Sequence, residues 1–201
     1  MGKRSDGAFE RIERNFYATP LKPTLRLSGF LGDVEAFAEP FVGDGALVRH
    51  LGSFGIPCVF ASDIQPEGEA RRYALTRDAM RLDRSDLDIC GATHIISNPP
   101  WPTPRANGEP TVSLIWHLMR IRPTWLLLSA DFAHNVYAPP LMRRCRKMVS
   151  VGRVKWIEGT KHDGKDNCAW YLFDDSFTGE TVFHPLPLAR REYGPEIEEL
   201  L

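Results

Sequence analysis

Cysteine is scarce in this sequence and never paired. The four residues, Cys58, Cys90, Cys145 and Cys168, are dispersed with no CxxC spacing. That pattern excludes a disulfide framework and a zinc ribbon, and reads as reduced thiols of a cytoplasmic protein. The six histidines are equally scattered and form no HExxH, so no metal site is expected. No apolar run is long enough to cross a bilayer. The first residues, Met1-Gly2-Lys3-Arg4-Ser5-Asp6, lack the apolar segment of a signal peptide, so no membrane partner is expected. Charge of one sign is missing too. The formal net charge is −1, so the chain as a whole is not a polyanion-binding body. The basic stretches Arg11–Arg14, Arg143–Lys147 and Arg190-Arg191 read singly as solvated faces. A local basic strip is nevertheless all that nucleic-acid binding needs. The 201 residues suit one domain with a real core.

What is present centres on Ser97-Asn98-Pro99-Pro100-Trp101. The apolar run His94-Ile95-Ile96 before it reads as a buried strand, which Pro99 must stop because proline has no N–H for a sheet ladder. Two consecutive prolines fix two φ angles and hold Asn98 and Pro99 extended. The result is a stiff corner at the carboxyl end of a strand. The Asn98 side-chain oxygen and the Pro99 carbonyl can both accept hydrogen bonds from one –NH2 group. Trp101 can stack on the ring that bears it.

A second signal runs from Ala36 to Leu47: an apolar strand, Glu39-Pro40, the loop Gly43-Asp44-Gly45, then a helix from Ala46. Leu47, Val48, Leu51 and Phe54 share one helical face, and Gly55 suits its end. Strand, glycine loop and helix open a doubly wound α/β fold. A dinucleotide fingerprint would carry a third glycine where Val48 stands, and Asp44 would repel a pyrophosphate. The strand Cys58–Ile64 ends at Asp63, twenty positions after Gly43, where such folds place a carboxylate on ribose hydroxyls.

The remaining elements are expected as follows. Leu21 to Leu31 and Glu67 to Leu75 form short helices, and Thr76 to Met80 end a third strand. Asp83 to Cys90 is an acidic connector. Val112, Ile115, Trp116 and Met119 share a helical face that Pro123 closes. Thr124 to Phe132 is a buried parallel strand. A helix runs from Pro139 through Lys147, strands cover Met148–Ile157 and Cys168–Phe173, and the tail after Gly179 has no strand.

The corner resembles the Asn/Asp-Pro-Pro-aromatic motif of S-adenosylmethionine-dependent amino-methyltransferases. Tyr17-Ala18-Thr19-Pro20 looks like their amino-terminal cofactor motif, and Phe37–Leu47 like the first cofactor motif of class I methyltransferases. The resemblance covers roughly residues 16 to 173. It implies a Rossmann-like α/β fold with a mostly parallel seven-stranded sheet, one antiparallel strand and helices on both faces. It implies one domain without a separate target-recognition domain. It also implies S-adenosyl-L-methionine as cofactor, held by Tyr17, Thr19, Pro20, Glu39, Pro40, Gly43, Asp44, Gly45, Ala46, Asp63, Ile64, Asp78, Ala79 and Asn98. In that reading Asp78 and Ala79 hold the adenine and the acids Glu39 and Asp44 suit a cationic ligand. Asn98, Pro99, Pro100 and Trp101 are the catalytic set. Phe16, Trp101, Arg105, Lys161 and Lys165 meet substrate. The implied activity is methyl transfer to an exocyclic amine, adenine N6 in DNA first. RNA adenine, a protein glutamine amide, or a catalytically silent nucleic-acid-binding subunit are the alternatives. A chain without its own recognition domain is expected to read a very short site, to accept single strands, or to rely on a specificity subunit as partner.

Overall fold

The computed structural model describes residues 18–101, 109–157 and 164–187. Among the described residues eight strands form one sheet. In chain order they are β1 (Phe37–Glu39), β2 (Cys58–Asp63), β3 (Leu75–Thr76), β4 (His94–Ser97), β5 (Thr124–Ser129), β6 (Cys145–Arg153), β7 (Asn167–Phe173) and β8 (Val182–His184). Their spatial order is β3-β2-β1-β4-β5-β7-β6-β8. β1 to β5 run parallel, and β7 lies antiparallel to both β5 and β6. The Rossmann-like α/β class is therefore as expected, with one strand more than the seven anticipated. The addition, β8, pairs parallel with β6 at the sheet edge. Its Val182 and Phe183 are more than half exposed, so it carries no alternation that would mark it as a strand.

Burial explains the central strands. β1 and β4 are buried at every residue, and β5 at all but its last, as parallel strands covered on both faces must be. The side chains alternate between two cores. Ile95, Leu126, Leu128, Tyr171 and Phe173 point to one face, under helix α4 (Glu109–Ile121). Phe37, Ile96, Trp125, Leu127, Trp170 and Leu172 point to the other. There they meet Leu27 of α1 (Leu21–Ser28) and Leu47 and Leu51 of α2 (Ala46–Ser53). Each large apolar side chain removed from water this way stabilises the fold by roughly 1.5–3 kcal/mol.

Several expected boundaries move. The helix at Glu67–Leu75 is a 3-10 turn, Gly68–Arg72, and β3 keeps only two residues. The acidic connector is helix α3 (Arg84–Cys90), started by a reciprocal capping box between Asp83 and Asp86. β5 stops at Ser129 and passes into a 3-10 turn, Ala130–His134. The helix expected through Lys147 is α5 (Pro139–Met142), because Cys145 to Arg153 pairs along β7 instead. Tertiary pairing overrides a run of good helix formers there.

The strand order reverses between β1 and β4, which are neighbours. In open α/β sheets the crevice for ligands lies outside the carboxyl ends at such a switch point. The glycine loop follows β1 and the Asn98 corner follows β4, so one crevice receives both.

Candidate active site

Two local rules shape the glycine loop. Gly43 (φ 53°) and Gly45 (φ 84°) sit in the left-handed region that side chains disfavour. At Gly45 a Cβ would also run into the Tyr73 hydroxyl. Asp63, at the end of β2, clamps this loop: one carboxylate oxygen accepts from the Gly43 N–H at 3.0 Å and the other from the Gln65 N–H at 2.8 Å. A carboxylate has about four acceptor positions, so capacity remains for hydroxyl groups of a ligand. Next to it, Ile64 is 63% exposed, an apolar surface beside the acid.

Asp44 and Asp78 serve their own chain. The Asp44 carboxylate accepts from the Ala46 N–H at 2.9 Å, starting α2, and lies 3.6 Å from the Arg49 guanidinium. Asp78 accepts from the Met80 N–H at 2.9 Å and caps the 3-10 turn Ala79–Arg81, with Ala79 buried behind it. β3 therefore ends at Thr76 instead of running to Met80, and Asp78 caps the turn beyond it.

Beneath the loop lies Glu39, 1% exposed. One of its oxygens accepts from the Ser97 hydroxyl and, at 3.1 Å, from the Phe41 N–H. The other oxygen is buried with no hydrogen-bond partner among the described residues. Burial pushes this carboxyl up to about 8, against the opposing pull of the bonds from Ser97 and Phe41. Pro40, also buried, follows it into the loop.

The corner is held from three directions. The Asn98 amide nitrogen donates to the Thr19 hydroxyl at 3.2 Å. Thr19 is placed by α1, which Pro20 caps with extended backbone. That helix is pinned to the sheet by the buried Trp170, whose indole N–H donates to the Pro23 carbonyl at 2.8 Å. Pro99 is buried and Pro100 exposed. Trp101 crosses the end of β4: its indole N–H donates to the Leu127 carbonyl of β5 at 3.0 Å. Its ring meets Trp156 edge-on, centroids 5.6 Å apart at 87°. Trp156, expected within a strand over Met148–Ile157, lies instead beyond the end of β6 at Arg153, on the turn towards β7. The turn closes where the Gly164 N–H donates to the Val154 carbonyl at 2.8 Å. A Cβ on Gly164 would meet that carbonyl and the Trp156 ring. Lys165 stands exposed on this turn.

The structure therefore brings Thr19 against Asn98, Glu39 against Ser97, and Asp63 against Gly43, while Trp101 joins the β6–β7 turn. Phe16, Tyr17, Arg105 and Lys161 lie outside the described residues. Among the described residues no group of acids, histidines or cysteines is placed to hold a metal ion. A cofactor carrying positive charge fits the residues present. Among the described residues one buried oxygen of Glu39 has no partner, Asp63 has acceptor capacity left, and Ile64 offers an apolar surface beside it.

Neither a family model nor a curated protein matches this sequence. Solved structures share its fold. One is a chain of a type I restriction–modification system, with TM-score 0.51 and 14% identity over 90% of this chain and 47% of its own. Another is a chain assigned as the modification subunit of a type I restriction enzyme from Vibrio vulnificus YJ016, with TM-score 0.52 and 12% identity over 92% and 52%. A third, assigned as an O-methyltransferase of Agrobacterium tumefaciens, has TM-score 0.50 and 15% identity over 90% and 95%. The chain spans about half the length of the first two. At such identities the likeness establishes the α/β fold.

Proposed function

We propose that this chain is an S-adenosylmethionine-dependent methyltransferase acting on an exocyclic amino nitrogen, adenine N6 in DNA. One observation carries the reading. The Asn98 amide nitrogen is engaged by Thr19, which leaves the oxygen of this half-buried amide as the end that can accept from a ligand. An –NH2 group seated there meets the Asn98 oxygen and the Pro99 carbonyl together. Two acceptors on one conjugated amine draw its hydrogens aside and give the nitrogen lone pair a direction. S-adenosylmethionine, when bound, supplies a methyl group activated by the attached sulfonium. The chain's own residues then have positioning to do. Asp63 and the glycine loop seat the cofactor, the corner orients the amine, and Trp101 with Trp156 provides aromatic surface for a planar base turned out of its duplex. Alignment of this kind contributes up to about 7–11 kcal/mol in favourable cases, so no activated nucleophile is required. The proton leaves after the nitrogen has become cationic, so no strong base is required either.

Two of the structural neighbours come from restriction–modification systems, which supports a nucleic-acid substrate and a separate specificity subunit as partner. No described helix is long and apolar enough to cross a membrane. The test is transfer of a labelled methyl group to four pools: duplex DNA, single-stranded DNA, RNA and protein extract. Label on N6 of adenine in DNA is the expected result. Label in RNA alone or on glutamine alone moves the assignment to that substrate, and label in no pool overturns the reading.

A further inference from the structure

The Glu39 carboxyl stands at a junction that the reading above does not use. It ends β1, lies under the glycine loop, and is bonded at one oxygen to Phe41 of that loop and to Ser97, the residue before Asn98. Its second oxygen is buried and, among the described residues, without a partner. Among the described residues, the groups facing it offer no counter-charge. They are the acid Asp63 and the thiol of Cys58 on β2, the Tyr73 phenol, and the Ser97 hydroxyl. The nearby guanidinium of Arg49 is spent on Asp44 and Glu69. A carboxylate kept dry with no cation is costly, and the group answers by keeping its proton.

We propose that Glu39 holds a proton in the ligand-free protein and releases it to solvent when a cation-bearing ligand enters the crevice, its carboxylate then serving the ligand on one oxygen and the Asn98 corner, through Ser97, on the other. The O–H bond of the carboxyl breaks, the electron pair stays on oxygen, and buffer takes the proton. Glu39 is thereby a positioning residue that ties occupancy of the cofactor site to the geometry of the amine acceptors. The inference rests on the proposed cofactor, because the cation it requires is the one that S-adenosylmethionine would bring. Its supporting number is the raised carboxyl, at about 8.

Calorimetric titration of the full chain with S-adenosylmethionine tests it. At pH 6.5, run in two buffers of different ionisation enthalpy, binding is expected to release close to one proton per ligand. Affinity is expected to rise close to tenfold per pH unit from pH 6 to 7.5 and to level off above about 8. Glu39→Gln keeps the shape and cannot ionise; it is expected to bind with no proton released at pH 6.5. Ser97→Ala is expected to keep the proton release while lowering the transfer rate more than the cofactor affinity. Binding by the wild-type chain without proton release overturns the inference and leaves the methyltransferase reading intact. Absence of binding at every pH overturns both. The wild-type measurement needs no variant, so a poorly folding Glu39→Gln chain does not blunt the test.

Discussion

Asn98 and Thr19 are 79 positions apart in the chain, yet the Asn98 amide nitrogen donates to the Thr19 hydroxyl at 3.2 Å. That bond occupies the nitrogen end of the amide and leaves the oxygen end as acceptor. It also joins the segment entering α1 to the segment leaving β4, the two pieces that the resemblance assigns to cofactor and amine respectively.

Thr19→Val should therefore disturb the reaction without touching a reacting atom. Losing one hydrogen bond of this kind costs about 0.5–1.5 kcal/mol. The expected result is a turnover number lower by roughly three- to tenfold, since 1.4 kcal/mol is a factor of ten. Asn98→Ala should go further, by roughly 10²–10³-fold in turnover, the usual loss on removing a preorganised partner of the reacting group. Steady-state methyl transfer with a labelled cofactor measures both. An Asn98→Ala chain with full activity would sink the corner as the site of chemistry.

Asp63 has a structural duty as well as the proposed ribose contact, so the choice of variant matters. Asp63→Ala removes the acceptors for the Gly43 and Gln65 N–H groups together. It should lower stability by about 1–3 kcal/mol in addition to weakening cofactor binding. Asp63→Asn keeps an acceptor for one of the two and should cost less in a urea titration. Equal cofactor affinity for Asp63→Asn and wild type would remove the ribose assignment.

At Gly45 both backbone and space forbid a side chain. Gly45→Ala forces alanine to φ 84° and places its Cβ against the Tyr73 hydroxyl. A loss of about 1–3 kcal/mol is expected from the thermal or urea midpoint. Adding Tyr73→Phe removes the clashing oxygen but not the backbone penalty, so partial recovery is expected. Complete recovery would mean that φ was not the obstacle.

Glu39 makes stability depend on pH in a definite direction. Its carboxyl is raised from 4.5 to about 8 in the folded chain, so between those values the folded state keeps a proton that the unfolded state has released. The contribution is complete below about 4.5 and is lost as pH climbs through about 8. His50 and His94 are lowered, mainly by burial, and act oppositely: their contribution is present above 6.5 and fades as pH falls. Urea midpoints compared between pH 7 and 8 isolate the acid, because the thiols of Cys58, Cys145 and Cys168, pushed by burial from 9.0 up to about 12, add their own loss only as pH approaches 9. They should fall for wild type and stay level for Glu39→Gln. A flat wild-type profile in that interval contradicts the protonated carboxyl.

Much was legible because it is enforced by adjacent residues. Proline ends β4 and stiffens the corner; glycine at positive φ turns β1 into α2; the spacing of Leu47 and Leu51 gives that helix its buried face. Capping was harder to read. Asp44, Asp63 and Asp78 each accept from a backbone N–H two residues on, a turn role that residue type and position alone do not separate from a ligand contact. Trp156 lies in the stretch expected to carry a strand to Ile157, but β6 ends at Arg153, and imperfect alternation does not show where pairing stops.

Chain chemistry alone thus determined the α/β class, the glycine loop and the proline-stiffened acceptor corner, because steric limits on φ and the alternation of apolar residues act between neighbours. Only the tertiary structure decided that Thr19 orients Asn98, that Glu39 is dry and joined to Ser97, that Trp101 leans on Leu127 and Trp156, and that β8 lengthens the sheet. Those relations depend on which strands become neighbours, and strand neighbourhood is chosen by the burial of two whole sheet faces rather than by any short stretch of residues.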